Sequence, residues 1–81
     1  MKGEIKELEI KKGLILKKGT RINIKLGHSI CSRTVIAITF DDDNHENSLM
    51  NCMESIYTVE VISDYGMCDK YDANQLARMI V

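Results

Sequence analysis

The 81-residue chain has no proline and no tryptophan, one phenylalanine, and an odd number of cysteines, three. Without proline, no segment is barred from the interior of a sheet, where each residue must offer a backbone N–H. No apolar run approaches the ~20 residues that a membrane-spanning helix needs. The opening MKGEIKELEI is basic at its start but has no apolar stretch behind it. We therefore expect neither a signal peptide nor a transit peptide, and a cytoplasmic location. Cys31, Cys52 and Cys68 contain no C-x-x-C pair. That argues against a disulfide framework and for reduced thiols packed as small hydrophobes. Ser-His-Asp arrangements, Gly-rich phosphate loops and H-E-x-x-H are all missing. His45 and Cys52 could pair as base and nucleophile, but no local signature supports them. An enzyme is not expected, and no cofactor is implied.

What is present describes a small folded domain covering residues 1–81. Apolar residues make up 44% and charged residues 28%, ordinary values for a globule. A chain of this length buries about 60–65% of its unfolded surface, so the core is thin. The net charge of −1 hides an uneven distribution. Residues 1–25 carry +5 and the remainder −6. Such a chain can present two surfaces of opposite sign, or fold so that its halves neutralise each other.

Period-two patterns dominate. EIKELEI sets Leu8 and Ile10 against Glu7 and Glu9, while Ile5 breaks the parity and lets the strand begin late. Gly13 interrupts, and LIL follows. In TRINIKL, Ile22, Ile24 and Leu26 alternate with Arg21, Asn23 and Lys25, as in a strand with one dry face. Gly27 ends it, and GHS reads as a turn. RTVIAITF places Val35, Ile36, Ile38 and Phe40 on both faces, the pattern of a central covered strand. YTVEVI alternates again, SDYG reads as a hairpin turn with Gly66 free to take positive φ, and MCDKY reads as a short return strand. In the tail, Asp72 and Gln75 have capping-box spacing, and Leu76, Met79 and Ile80 fall at helical offsets. A helical turn near 72–77 leading into a last short strand accounts for them. The expected fold is mostly β, a small barrel or sandwich of about five to six antiparallel strands.

The order KKGTRINI, RTVIAITFDD, YTVEVISDYG and DANQLARMIV resembles an SH3-like small β-barrel over residues 17–81. In that family a Lys-Gly turn opens a strand, a β-branched strand ends at an acidic loop, and a hairpin follows. A one-turn helix with a buried leucine then precedes the last strand. The resemblance implies that Leu76 is that leucine. It implies no polyproline site, because such sites use an aromatic groove and this chain has no tryptophan. KOW-type nucleic-acid modules share the barrel, but no contact residue carries over from them. Residues 1–16 and an insertion at 41–55 are additional to a minimal barrel.

The insertion DDDNHENSLMNCMES holds the densest charge. Read as an EF-hand loop from Asp41, it keeps Asp43 at the third position. It then fails, with His45 at the fifth, Glu46 in place of glycine and Cys52 at the twelfth. Two structural readings stay open. In one, Asp43 and Glu46 cap a short helix whose Leu49, Met50, Met53 and Ile56 form an apolar stripe. In the other, the insertion is a long hairpin. Functionally, Asp41, Asp42, Asp43 and Glu46 suit a basic surface on a protein partner, with Met50 and Met53 as adaptable apolar contacts. Small mobile-element or phage inhibitors of nucleic-acid-handling proteins can act in this non-catalytic way. The alternative is DNA or RNA binding along a basic edge of Lys11, Lys12, Lys17, Lys18, Arg21 and Lys25. The pI near 6.1 and the scarcity of aromatic platforms weigh against that alternative. His28, Cys31, Cys52 and Cys68 could compose a Cys3His zinc site, although structural zinc normally shows two close-spaced pairs. No metal is assigned on that basis.

Overall fold

A computed structural model describes residues 2–41 and 56–81. Seven strands appear there: β1 (Lys2–Glu4), β2 (Glu7–Lys11), β3 (Leu14–Lys17), β4 (Arg21–Leu26), β5 (Ser29–Asp41), β6 (Tyr57–Ile62) and β7 (Cys68–Asp72). One helix, α1 (Ala73–Met79), follows. The strands form two antiparallel sheets, which do not close into a single barrel. Strand β5 is the hub. β6 lies along one of its edges with β7 beyond, and β1 and β4 share the other edge. β2 and β3 make a separate hairpin.

The count exceeds the five to six strands expected because residues 2–17 supply three. Ile5, the residue that breaks the alternation, marks the split. Its N–H donates to Ile38 O at 2.9 Å, the last bond of that run to β5. The chain then departs as the β2–β3 hairpin and rejoins the same edge where Gly19 N–H donates to Val35 O at 2.7 Å. The excursion brings Leu16 into the core, with Ile5, Leu8, Ile10 and Leu14 packed against it.

β4 follows its alternation through Ile22 and Ile24, both buried, but Leu26 is exposed because it stands at the hairpin tip. Gly27 and His28 form the two-residue connection to β5. Gly27 has φ of 61° and His28 does not take positive φ, the arrangement of a type II′ turn. β5 begins at Ser29, earlier than its apolar run suggests. Val35 and Ile38 both face the core with exposures of 0% and 1%, although their spacing would put them on opposite faces of a regular strand. A β-bulge resolves this. Val35 pairs with Val61 and Ala37 with Glu60, so Ile36 is the extra residue and the parity reverses.

Val59 and Val61 of β6 face Ile38 and Val35 across the ladder and are fully buried. α1 seals this core with Ala73 and Leu76. Seven residues are too few for an isolated helix, since peptides under ~12–15 residues are marginal. Packing and capping therefore hold it. The Asp72 carboxylate accepts from the Asn74 N–H at 2.9 Å, one residue earlier than the capping-box spacing to Gln75 implies. The tail then returns to β4: Ile80 bridges Ile24, and Val81 N–H donates to Asn23 O at 3.0 Å. The expected last strand is thus reduced to a bridge. No helix among the described residues is long and apolar enough to cross a membrane.

Candidate functional site

The acidic insertion is rooted where three strands meet. Asp41 ends β5, pairs in register with Lys2 of β1, and its N–H donates to Ile56 O at 2.9 Å. Ile56 directly precedes β6, so one backbone bond ties the departing and returning chain together. Asp42, Asp43, Glu46, Met50 and Met53 lie outside the described residues, as do the helix and hairpin alternatives for 41–55 beyond Asp41. Asp41 itself is half-buried.

Beside this root the outer face of the larger sheet forms a groove of about 550 Å³, lined by Glu4, Thr39, Phe40, Asp41, Thr58 and Lys70. The sheet register explains the grouping. Glu4, Thr39, Thr58 and Asp72 stand in one cross-strand row, and Lys70 is opposite Glu60. Gly3 keeps the rim low; a Cβ there would meet the Phe40 ring at 3.2 Å. Sequence reasoning missed Glu4 and Lys70 as neighbours of the insertion. Nothing in their local sequence marks them, since only the pairing of β1 and β7 across the sheet brings them close.

The six candidate basic residues are all exposed but do not form one stripe. Lys11 and Lys12 sit at one end of the β2–β3 hairpin, where Lys11 Nζ donates to Ile80 O at 3.1 Å. Lys17 and Lys18 sit at the other end, about 13 Å away at ~3.3 Å per strand residue. They share a groove with Lys6, Glu4 and Glu7, so carboxylates interleave with the lysines. Arg21 pairs with Asp64 at 3.0 Å. Lys25 is on the exposed face of β4, opposite Ile30.

The candidate zinc ligands are also scattered. His28 is exposed in the β4–β5 turn, Cys31 is half-buried on β5, and Cys68 is exposed at the start of β7; both cysteines are free thiols. Cys52 lies outside the described residues. Among the described residues, no three His, Cys, Asp or Glu groups gather where they could hold one ion.

Comparison of the chain with protein-family models, with curated proteins and with solved structures finds no match.

Proposed function

We propose that this chain is a non-catalytic binding protein with an SH3-like arrangement, and that its acidic segment meets a basic surface on a protein partner. The Asp41–Ile56 backbone bond carries the reading. It anchors both ends of a carboxylate-rich excursion to the rim of a packed sheet, so the ends are held in place before any partner arrives. The SH3-like element rests on order. A glycine turn opens β4, β5 runs to the acidic segment, the β6–β7 hairpin follows, and a short helix with buried Leu76 precedes a tail that returns to β4. An inhibitor that occupies the nucleic-acid groove of its target would use such a run of carboxylates as a phosphate mimic.

The reading is tested by capture from cell lysate with the wild-type chain and with a variant carrying Asp41→Asn, Asp42→Asn and Asp43→Asn. A protein retained by the wild type at low salt should be lost by the variant and by raising the salt. Equal retention by both chains refutes the acidic-segment reading. The second reading, nucleic-acid binding by the lysines, draws on the exposure of all six basic residues. It requires DNA or RNA retention that falls steeply with salt; retention that is absent or indifferent to salt ends it.

A further inference from the structure

The described residues leave one stretch of the β5 edge uncovered. Val35 donates its N–H to Thr20 O at 2.8 Å and accepts from Gly19 N–H at 2.7 Å, both on the β4 side. Along an antiparallel strand, successive residues turn their backbone groups to alternate edges. Thr34, Ser32 and Ile30 therefore face the opposite edge, in line with β6. β6 covers that line only to Thr34, which pairs with its last residue, Ile62. Past Ile62 the chain curls into its own turn. Ser63 N–H donates to Met67 O at 2.9 Å, and Ser63 Oγ accepts from the N–H groups of Tyr65 and Met67. Among the described residues, nothing bonds to the N–H of Ile30 or Ser32 or to the Ile30 carbonyl. The Ser32 carbonyl is taken by Nη1 of the neighbouring Arg33 at 2.8 Å.

Other features converge there. A groove of about 320 Å³ runs beside this edge, lined by Cys31, Ser32, Arg33, Ser63, Tyr65 and Met67 among others. Arg33 lines it, and its buried Nε has no hydrogen-bond partner among the described residues, a costly condition. Ile30, Tyr65 and Met67 are exposed at 66%, 94% and 69%. The groove has no net charge, because Asp64 is paired with Arg21 and Asp69 offsets Arg33.

We propose that this edge accepts an extended, uncharged segment of a partner protein as an added strand. Carbonyls of that segment accept from the N–H groups of Ile30 and Ser32, and its apolar side chains meet Ile30, Tyr65 and Met67. A second copy of the chain fits less well. Two-fold pairing centred on Cys31 sets residue 28 of one copy opposite Thr34 of the other, where Ile62 already stands. The site is at the far end of β5 from Asp41 and stands apart from the acidic-segment reading.

The experiment pans a random seven-residue peptide library against the folded chain and titrates the recovered peptides, synthesised with blocked ends, into the labelled protein by NMR. We expect saturable shifts of the Ile30 and Ser32 amides, with at least tenfold slower exchange of both. Peptides N-methylated at alternate positions should bind at least tenfold more weakly. Ser32→Pro removes the outward N–H and should abolish binding; it also loses the Ser32 Oγ bond to Asn23 Oδ1 of β4, a loss that Ser32→Ala shares while keeping the N–H and the binding. A chain with Tyr65→Ser and Met67→Ser, altered only at exposed side chains, should lose binding while its melting curve is unchanged. The proposal is overturned by failure to enrich any peptide, by shifts confined to β7 or another edge, by equal binding of the N-methylated peptides, or by the same shifts arising from self-association without peptide.

Discussion

Replacing Leu76 with alanine tests how the core is closed. Leu76 has 0% exposure and sits on a helix that packs against β2, β4, β6 and β7. The substitution removes the equivalent of three CH2 groups, a loss of about 2.4 kcal/mol at ~0.8 kcal/mol each. The unfilled space adds to this, and leucine-to-alanine changes at buried sites cost about 2.7–5 kcal/mol. We expect about 3–4 kcal/mol, in the lower half of that range, because a seven-residue helix can settle partly into the hole. A chain of this length has about 4–12 kcal/mol in total at ~0.05–0.15 kcal/mol per residue, so the variant loses between about a quarter and nearly all of its stability. At ~4–8 °C per kcal/mol, the melting temperature should fall by about 12–32 °C. Urea unfolding followed by circular dichroism measures the change: the midpoint should drop while the slope stays constant. Ile15→Ala, at a side chain 53% exposed, serves as control and should shift stability by less than ~0.5 kcal/mol. A loss below ~1 kcal/mol at Leu76, or equal losses at the two positions, would show that the helix does not seal the core.

Asp72→Ala removes the cap on α1 and should cost ~0.5–2 kcal/mol in the same urea assay, with Asp72→Asn retaining most of the wild-type stability. Gly66 has φ of 85° and open space where a Cβ would stand; Gly66→Ala should therefore lose ~1–2 kcal/mol from backbone strain alone. If stability is unchanged, the β6–β7 turn does not have this geometry. A double-mutant cycle on Arg21 and Asp64, whose side chains are 56% and 63% exposed, should give a coupling of ~0.2–1 kcal/mol that shrinks as salt is added.

The parts of the fold that local chemistry dictates were readable from the residues. β4 alternates because one face is dry, and Ile22 and Ile24 are indeed its buried pair. Asp72 caps and Leu76 is buried because a short helix needs both a first-turn acceptor and an apolar anchor. What escaped the sequence depends on pairing across the sheet. The bulge at Ile36 leaves no local trace, since the apolar run looks alike whether Val35 and Ile38 share a face or oppose each other. Ser29–Ser32 carries too little apolar character to read as strand, yet it pairs with β4 along its whole length. The six basic residues look like one edge in the sequence, but the β2–β3 hairpin sends Lys11 and Lys12 to one end and Lys17 and Lys18 to the other. Of the acidic site, Asp41 and its tie to Ile56 are in view, and the groove beside it became visible only with the registers of β1 and β7.

Both candidate surfaces follow from one mismatch of lengths. β5 has 13 residues and β6 has six. On the β4 side, the shortfall is met by several segments in succession: β4, then Gly19 and Thr20, then Ile5, then β1. On the β6 side there is one strand, and it can be placed at one end only. It is placed toward Asp41, where Ile56 closes the ladder and the acidic segment is tied down. Among the described residues, nothing consequently covers the opposite end from Ile30 to Ser32. Lengthening β6 toward Ile30 would cover the bare edge, but the Ser63-centred turn prevents it by bonding to Tyr65 and Met67 instead. Ser63→Ala removes those two hydroxyl bonds and should loosen the turn, read as faster amide exchange at Tyr65 and Met67, but the backbone bonds from Ser63 N–H to Met67 O and from Gly66 N–H to Ser63 O remain to keep β6 from extending.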